Sequence, residues 1–126
     1  MHELSIAESL VEQAVTAARQ AGGGRIVRLR VIVGELSGVD PEALAFAFPV
    51  AARGTEAEAA ELDLVRSPAR VECEACGAAT AVEWPDLRCV QCGSDRVRIA
   101  DGRQLRLELL DIEAPAATPA RGANDV

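Results

Sequence analysis

The sequence has no lysine, no tyrosine and a single histidine, His2, and aromatic residues make up only 2% of its 126 residues. General acid–base and nucleophilic catalysis draw heavily on these side chains, and no glycine-rich phosphate loop is present, so the absences argue against an enzyme. No apolar run approaches the roughly 18 residues of a membrane span, and the N-terminal segment lacks the features of a secretory signal. We therefore expect a non-catalytic protein of the cytoplasm, without a membrane partner.

Positive charge is also scarce. The 13 basic residues are all arginine and face 20 acidic residues, which gives a net charge of -7. The acidity is distributed, since residues 1–70 carry 7 arginines against 10 acids and residues 71–103 carry 4 against 6. Nucleic acids are bound largely by neutralising phosphates, so this balance disfavours a nucleic-acid partner.

The first third of the chain shows helical and then strand periodicity. Apolar residues recur at helical spacing over residues 3–21, and glycines then end the pattern. The helical stripe comprises Leu4, Ala7, Val11, Ala14, Val15 and Ala18. Residues 26–33 alternate instead, which predicts a half-buried strand. Its inward face comprises Val27, Leu29, Val31 and Val33, and its outward face carries Arg28 and Arg30.

A second helix is predicted from Pro41, because Asp40 suits the N-cap and proline is tolerated at the first helical position. Its buried stripe comprises Leu44, Ala47, Phe48 and Ala51. Pro49 removes a hydrogen-bond donor and should kink this helix or end it early. Thr55 and Glu58 resemble a capping box for a short turn.

Further strands are predicted at residues 62–65, before Cys73, and at residues 105–109, where leucines alternate with charged residues. The element order is then helix, strand, helix, strand, cysteine module, strand. This order indicates an α+β fold. Residues 114–126 are small, proline-containing and aperiodic, which predicts a disordered tail.

The four cysteines form two close pairs, Cys73 with Cys76 and Cys89 with Cys92, separated by twelve residues. Two residues between thiolates allow a tight turn to point both sulfurs at one ion, and the following Gly77 and Gly93 suit such turns. Four thiolates leave no open position for water, which is typical of structural rather than catalytic zinc. Buried free thiols, a redox disulfide and an iron–sulfur cluster are the alternatives, and Pro85 and the glycines argue against a thioredoxin-like helix.

His2 has two interpretations. A terminal amine, the backbone nitrogen of His2 and its imidazole can close five- and six-membered chelate rings on one ion, with Glu3 or another group completing a plane. Such square-planar nitrogen and oxygen ligation favours Ni(II) or Cu(II). Taken alone, however, a histidine at position 2 is more often an incidental part of a frayed terminus.

Three separated motifs together resemble the HypA/HybF family of hydrogenase maturation proteins. They are the opening Met1-His2-Glu3-Leu4-Ser5-Ile6, the segment Gly34-Glu35-Leu36-Ser37-Gly38-Val39-Asp40, and the paired cysteines. The resemblance covers residues 1–113. It implies an α/β nickel-binding domain, with two helices on a three-stranded sheet, over residues 1–70 and 103–113. A zinc-ribbon domain, residues 71–102, would be inserted before the last strand.

The resemblance also implies ligands and partners. Nickel would be bound by Met1, His2 and Glu3. Asp40 matches an acidic position near that site, but an N-cap role also fits Asp40 and is the one we favour. Zinc would be held by Cys73, Cys76, Cys89 and Cys92. The implied function is a nickel metallochaperone that supplies the large subunit of nickel–iron hydrogenase with a HypB-type GTPase, and some members serve urease maturation. A homodimer is compatible with these features.

This sequence differs from the family pattern in two features, and it also allows one alternative function. Some relatives carry a histidine beside each cysteine pair, whereas glycine follows each pair here, so acid sensing through an exchange of histidine for cysteine is not expected. Pro49 leaves the course of the second helix open. The rival function is a zinc-ribbon adaptor or nucleic-acid-binding module built on Arg28, Arg30, Arg66, Arg70, Arg96 and Arg98.

Overall fold

The computed structural model describes residues 2–113, so the predicted disordered tail lies outside the described residues. The elements follow in the order α1 (Glu3–Gln20), β1 (Arg25–Gly34), α2 (Pro41–Ala52), β2 (Glu61–Ser67), β3 (Ala69–Cys73), β4 (Ala79–Val82), β5 (Val97–Asp101) and β6 (Leu105–Glu113). The strands form two three-stranded sheets with the orders β2-β1-β6 and β4-β3-β5. This architecture confirms the predicted α+β fold. None of its helices, over residues 2–113, has the length and apolar character to cross a membrane.

The described chain divides into two compact units. The first comprises residues 2–30, 42–63 and 107–113, and the second comprises Val31–Pro41 and Leu64–Arg106. Helix α1, and α2 from its second residue onward, belong to the first unit. All four cysteines belong to the second.

Helix α1 buries a narrow face of small residues. Its buried residues are Ala7, Leu10, Val11, Ala14 and Ala18. The predicted stripe is thus largely confirmed, but Leu4 in the first turn is 47% exposed and Val15 is only half-buried. The helix ends as the glycines predict, because the N–H groups of Gly22 and Gly23 donate to the carbonyls of Arg19 and Ala18.

Strand β1 shows the predicted alternation from Leu29 onward, with Leu29, Val31 and Val33 buried. At its start the prediction is wrong, because Ile26 is buried and Val27 is only half-buried. There the N–H of Ile26 donates to the carbonyl of Glu56, in the turns after α2. One face of β1 is therefore regularly buried only in the second half of the strand.

Helix α2 buries Leu44, Ala47, Phe48 and Ala52. It continues past Pro49 to Ala52, so of the two predicted outcomes, a kink or an early end, the early end is wrong. Buried Phe48 and Ala52 hold the last turn on both sides of the proline. Thr55 caps the following turn by accepting from the N–H of Ala57, but its own N–H donates to Ala52, so a reciprocal capping box with Glu58 is not formed.

The second unit is organised around β3, which pairs antiparallel with both β4 and β5. Its buried cluster comprises Ala69, Val71 and Val82, with Leu36, Leu87 and Val97 packed against it. Strand β3 agrees with the strand predicted before Cys73, whereas β4 and β5 were not predicted. Both are short strands without a fully buried face, so their sequences carry little periodicity.

Candidate metal centre

Two similar turns present the four cysteines. In each, the N–H of the glycine donates to the carbonyl of the first cysteine at 2.9 Å, from Gly77 to Cys73 and from Gly93 to Cys89. Both glycines have a positive φ near 80°, a conformation that side chains rarely adopt. The sequence therefore folds each C-x-x-C-G segment into a turn that brings its two sulfurs to one side.

Backbone N–H groups also point at the first sulfur of each pair. The N–H groups of Ala75 and Cys76 donate to Sγ of Cys73 at 3.3 and 3.4 Å, and that of Gln91 donates to Sγ of Cys89 at 3.4 Å. Such donors stabilise negative charge on sulfur. These turns are therefore suited to thiolates.

The turns bring the four sulfurs together. Sγ of Cys73 lies 3.5 Å from Sγ of Cys92, and Sγ of Cys76 lies 3.7 Å from Sγ of Cys89. All four sulfurs lie within 4.8 Å of one another, and none is in a disulfide. A tetrahedral zinc ion with bonds of about 2.3 Å would separate its sulfurs by about 3.8 Å, so these positions fit one ion.

Burial and ionisation divide the four thiols into two kinds. Cys73 and Cys89 are buried, whereas Cys76 and Cys92 are exposed. The N–H of Cys76, helped by that of Ala75, lowers the pKa of Cys73 to about 6. The N–H of Ser94 acts to lower the pKa of Cys92, but the neighbouring Cys73 sulfur and desolvation outweigh it and raise that pKa to about 12. A divalent cation would stabilise all four as thiolates.

Residues 34–37 form hydrogen bonds within this second unit, a role that was not predicted from the sequence. The N–H of Glu35 donates to the carbonyl of Ser67 and that of Leu36 to the carbonyl of Gly102. Oε1 of Glu35 accepts a hydrogen bond from the N–H of Trp84, in the loop between the cysteine pairs. The G-E-L-S motif is thus a structural anchor for the loop that separates the two pairs of cysteines.

The residues predicted to bind nickel are described only in part. Met1 lies outside the described residues. His2 is exposed and occupies the N-cap position of α1, without a capping hydrogen bond from its side chain, and Glu3 is the first residue of that helix. Asp40 is exposed and directly precedes α2, and it belongs to the second unit. Among residues 2–113, the cysteines form the one group of three or more possible ligands that lie together.

Three of the six arginines on which the nucleic-acid-binding alternative rests lie beside carboxylates. Arg28 pairs with Glu61 at 3.5 Å and Arg30 with Asp63 at 3.0 Å, across neighbouring strands. Arg98 pairs with Glu72 in the second unit. Paired arginines neutralise phosphate poorly, so this geometry does not favour the rival function.

Comparisons with known proteins agree with the motifs. Residues 1–112 match the family described as "Hydrogenase/urease nickel incorporation, metallochaperone, hypA". The chain is 48% identical to the hydrogenase maturation factor HypA of Chlorobaculum tepidum over 113 residues, which cover 90% of this chain and 100% of that protein. It is 46% identical to the corresponding protein of a Roseiflexus species over 123 residues, 94% of this chain and 98% of the relative.

Solved structures point the same way. The solution structure of the Ni metallochaperone HypA from Helicobacter pylori superposes with a TM-score of 0.66 at 29% identity, covering 91% of this chain and 100% of that one. A second solution structure, of a HypA protein, gives a TM-score of 0.64. The chain therefore belongs to the HypA family of metallochaperones for hydrogenase and urease nickel incorporation.

Proposed function

We propose that this chain binds one Ni(II) ion at its N-terminus and delivers it to the large subunit of nickel–iron hydrogenase during maturation. The observation that carries the proposal is the family match over residues 1–112, which includes His2 and Glu3 at the start of α1. The ligands would be the α-amino group of Met1, the imidazole and backbone nitrogen of His2, and Glu3. Nickel here is cargo, and the chain needs no catalytic group to carry it.

The first turn of α1 supports this ligand set. The helical hydrogen bonds begin with the N–H of Ile6, which donates to the carbonyl of His2 at 2.9 Å. The backbone nitrogens of the preceding residues stand outside the helical ladder, as at every helix N-terminus. They can therefore exchange a proton for a metal ion while the helix keeps its own hydrogen bonds.

Exposure of the site suits release as well as binding. His2 is exposed at the helix end rather than enclosed in a cavity. A carrier must hold its cargo less tightly than the recipient does, and a shallow chelate on a helix end has few buried ligands to lose. Because the amine and imidazole bind only when deprotonated, acidification should weaken nickel binding.

Asp40 fits two roles, and we propose that its main role is to cap α2. It directly precedes Pro41, and a short oxygen-bearing side chain at this position binds the N–H groups of the first helical turn. A supporting role at the nickel ion is the alternative. Replacement by asparagine separates the two, since asparagine caps as well but carries no charge.

We propose that the four cysteines hold a structural zinc ion, in a zinc-ribbon domain over residues 71–102 that is inserted into an α/β domain over residues 1–70 and 103–113. The thiolate donor set and the sulfur separations suit zinc, and a closed set of four leaves no position for a substrate. When bound, the ion would fasten the two turns together. Ligation supplies roughly 10–16 kcal/mol in structural zinc peptides, enough to fold a small module with few buried residues.

The proposed partners are a HypB-type GTPase and the hydrogenase large subunit, in the cytoplasm, with urease maturation proteins as further clients.

The proposal is tested by following the transfer of nickel from this chain to the large subunit. Protein loaded with one radioactive nickel ion is mixed with the GTPase and the large-subunit precursor, and the label on each is counted after separation. We expect the label to move to the precursor from the wild type, and much less of it from His2→Ala. Equal transfer from free nickel and from the loaded protein would contradict the proposal.

A further inference from the structure

The loop between the two cysteine pairs presents a tryptophan to solvent. Trp84 is 58% exposed and is the single tryptophan of the chain. Its backbone N–H donates a hydrogen bond to Glu35, so the exposed indole extends from an anchored backbone. Aromatic side chains that are held in place on a surface are typical of the residues that contribute most to protein–protein binding. Trp84 therefore marks a candidate contact surface outside the metal centre.

An open depression adjoins Trp84, which lies in the chain between two of the lining residues, Glu83 and Asp86. The depression has a volume of about 320 Å³. Its lining comprises Ala81, Val82, Glu83, Asp86, Arg88 and Val90. Val82 belongs to the buried cluster of the second unit, whereas Val90 is 65% exposed. The depression therefore offers apolar surface that is continuous with the core of this unit, and it can receive an apolar side chain.

The charges of this loop leave one carboxylate available. Nε and Nη2 of Arg88 donate to the two carboxylate oxygens of Asp86, each at 3.0 Å, so these two charges neutralise one another. Glu83 is exposed, and in the part of the chain that the structure describes its carboxylate has no ion-pair partner. Residues 71–102 carry 3 arginines against 6 acidic residues. The surface is therefore acidic.

An indole beside a free carboxylate is suited to recognise a cation. Among the aromatic side chains, tryptophan attracts a cation to its ring face most strongly. A guanidinium group is planar, so it can stack on an indole while it donates hydrogen bonds to a carboxylate. An arginine that is followed or preceded by an apolar residue would therefore satisfy Trp84, Glu83 and the depression together.

We propose that Trp84, Glu83 and the adjoining depression form the docking surface for the nickel recipient, which binds there through an arginine next to an apolar side chain. This inference rests on the proposed function, in which the recipient is the precursor of the hydrogenase large subunit. The docking surface belongs to the second unit and His2 to the first, so docking uses none of the proposed nickel ligands. Docking holds carrier and recipient together, which makes nickel transfer effectively intramolecular.

Fluorine NMR tests the contact directly. Zinc-loaded protein is labelled with 5-fluorotryptophan, which gives one signal because the chain has a single tryptophan. The large-subunit precursor is added without label, and we expect the signal to shift or broaden as the precursor binds. A precursor that does not bind, or that binds without changing the signal, would overturn the inference. A change that the GTPase produces and the precursor does not would overturn it too.

Substitutions test which side chains carry the binding. Trp84→Ala and Glu83→Arg should each weaken binding of the precursor at least about tenfold, measured by surface plasmon resonance. Phe46→Ala and Glu58→Arg are the matched controls, because both residues are exposed but belong to the first unit, and these variants should bind like the wild type. Zinc content and circular dichroism confirm that each variant is folded. Wild-type affinity in both Trp84→Ala and Glu83→Arg would overturn the inference.

The His2→Ala variant separates this inference from the proposed nickel site. It should dock with wild-type affinity and carry no nickel. Trp84→Ala should bind nickel like the wild type but transfer it more slowly when both proteins are below the dissociation constant of docking. Nickel binding that survives in His2→Ala would contradict the nickel site and leave the docking result intact. Equal transfer rates from Trp84→Ala and the wild type would overturn the docking role and leave the nickel site intact.

Discussion

The backbone N–H of Trp84 donates to Oε1 of Glu35 at 3.2 Å. Trp84 lies in the loop between the two cysteine pairs, and Glu35 lies in the G-E-L-S segment directly after β1. A residue that is far from the cysteines in the sequence thus contacts the loop that leads to the second pair.

Removal of the Glu35 carboxylate should weaken zinc binding. Glu35→Ala deletes the acceptor for the Trp84 N–H, and a hydrogen bond of this kind contributes about 0.5–1.5 kcal/mol, which corresponds to roughly a 2- to 10-fold loss of zinc affinity. Glu35→Gln keeps an oxygen acceptor and should bind zinc like the wild type. Glu83→Ala, at the residue before Trp84, controls for the loss of a negative charge near the loop. Competition with a coloured chelator measures all four, and equal affinities would contradict the anchoring role.

Gly34 should tolerate no side chain. A Cβ atom there would overlap the carbonyl of Gly102 and lie 2.9 Å from the backbone nitrogen of Gln104. Because both neighbours are backbone atoms in the second unit, Gly34→Ala should lower the free energy of unfolding by about 2–4 kcal/mol. Gly38→Ala is the control, since Gly38 has a positive φ but open space around it, and should cost about 1 kcal/mol. Urea denaturation of the zinc-loaded protein separates the two, and equal losses would contradict the steric argument.

The ion pair between Arg19 and Glu56 should be visible in a pH titration. Nε of Arg19 lies 2.7 Å from Oε2 of Glu56, and this hydrogen bond lowers the pKa of Glu56 below its ordinary value of 4.5. A lowered pKa in the folded state means that the pair stabilises the protein above the ordinary pKa, and that this contribution is lost as pH falls through the lowered value. Arg19→Gln should raise the pKa of Glu56 towards its ordinary value, whereas Arg53→Gln should leave that pKa unchanged. Carbon-detected NMR titration of Glu56 measures both, and an unchanged pKa in Arg19→Gln would contradict the assignment.

Several features could be predicted from the sequence because each depends on short-range chemistry. The spacing and glycines of the cysteine pairs correctly predicted that four sulfurs would cluster. The end of α1 at its glycines and the alternation of β1 from Leu29 also depend only on residues that are near in the sequence. Each of these features is determined by residues that are close together in the sequence, so it forms irrespective of the tertiary packing around it.

The features that were missed depend on tertiary context. Strands β4 and β5 are recognisable only through their pairing with β3, and the anchoring role of Glu35 only through its contact with Trp84. The passage of α2 through Pro49 depends on the burial of Phe48 and Ala52. Local propensity indicated a kink or an end at Pro49, and the helix nevertheless continues to Ala52.

The central claim is that nickel binds at the N-terminus, and nickel titration of the zinc-loaded protein tests it most directly. Three proteins are compared by calorimetry: one that begins at Met1, the His2→Ala variant, and one with a few residues added ahead of Met1. The zinc content of each is measured as an internal control. We predict that the first binds one nickel ion, that both changed proteins lose it, and that all three keep one zinc ion. Nickel binding of wild-type strength in both changed proteins would contradict the account.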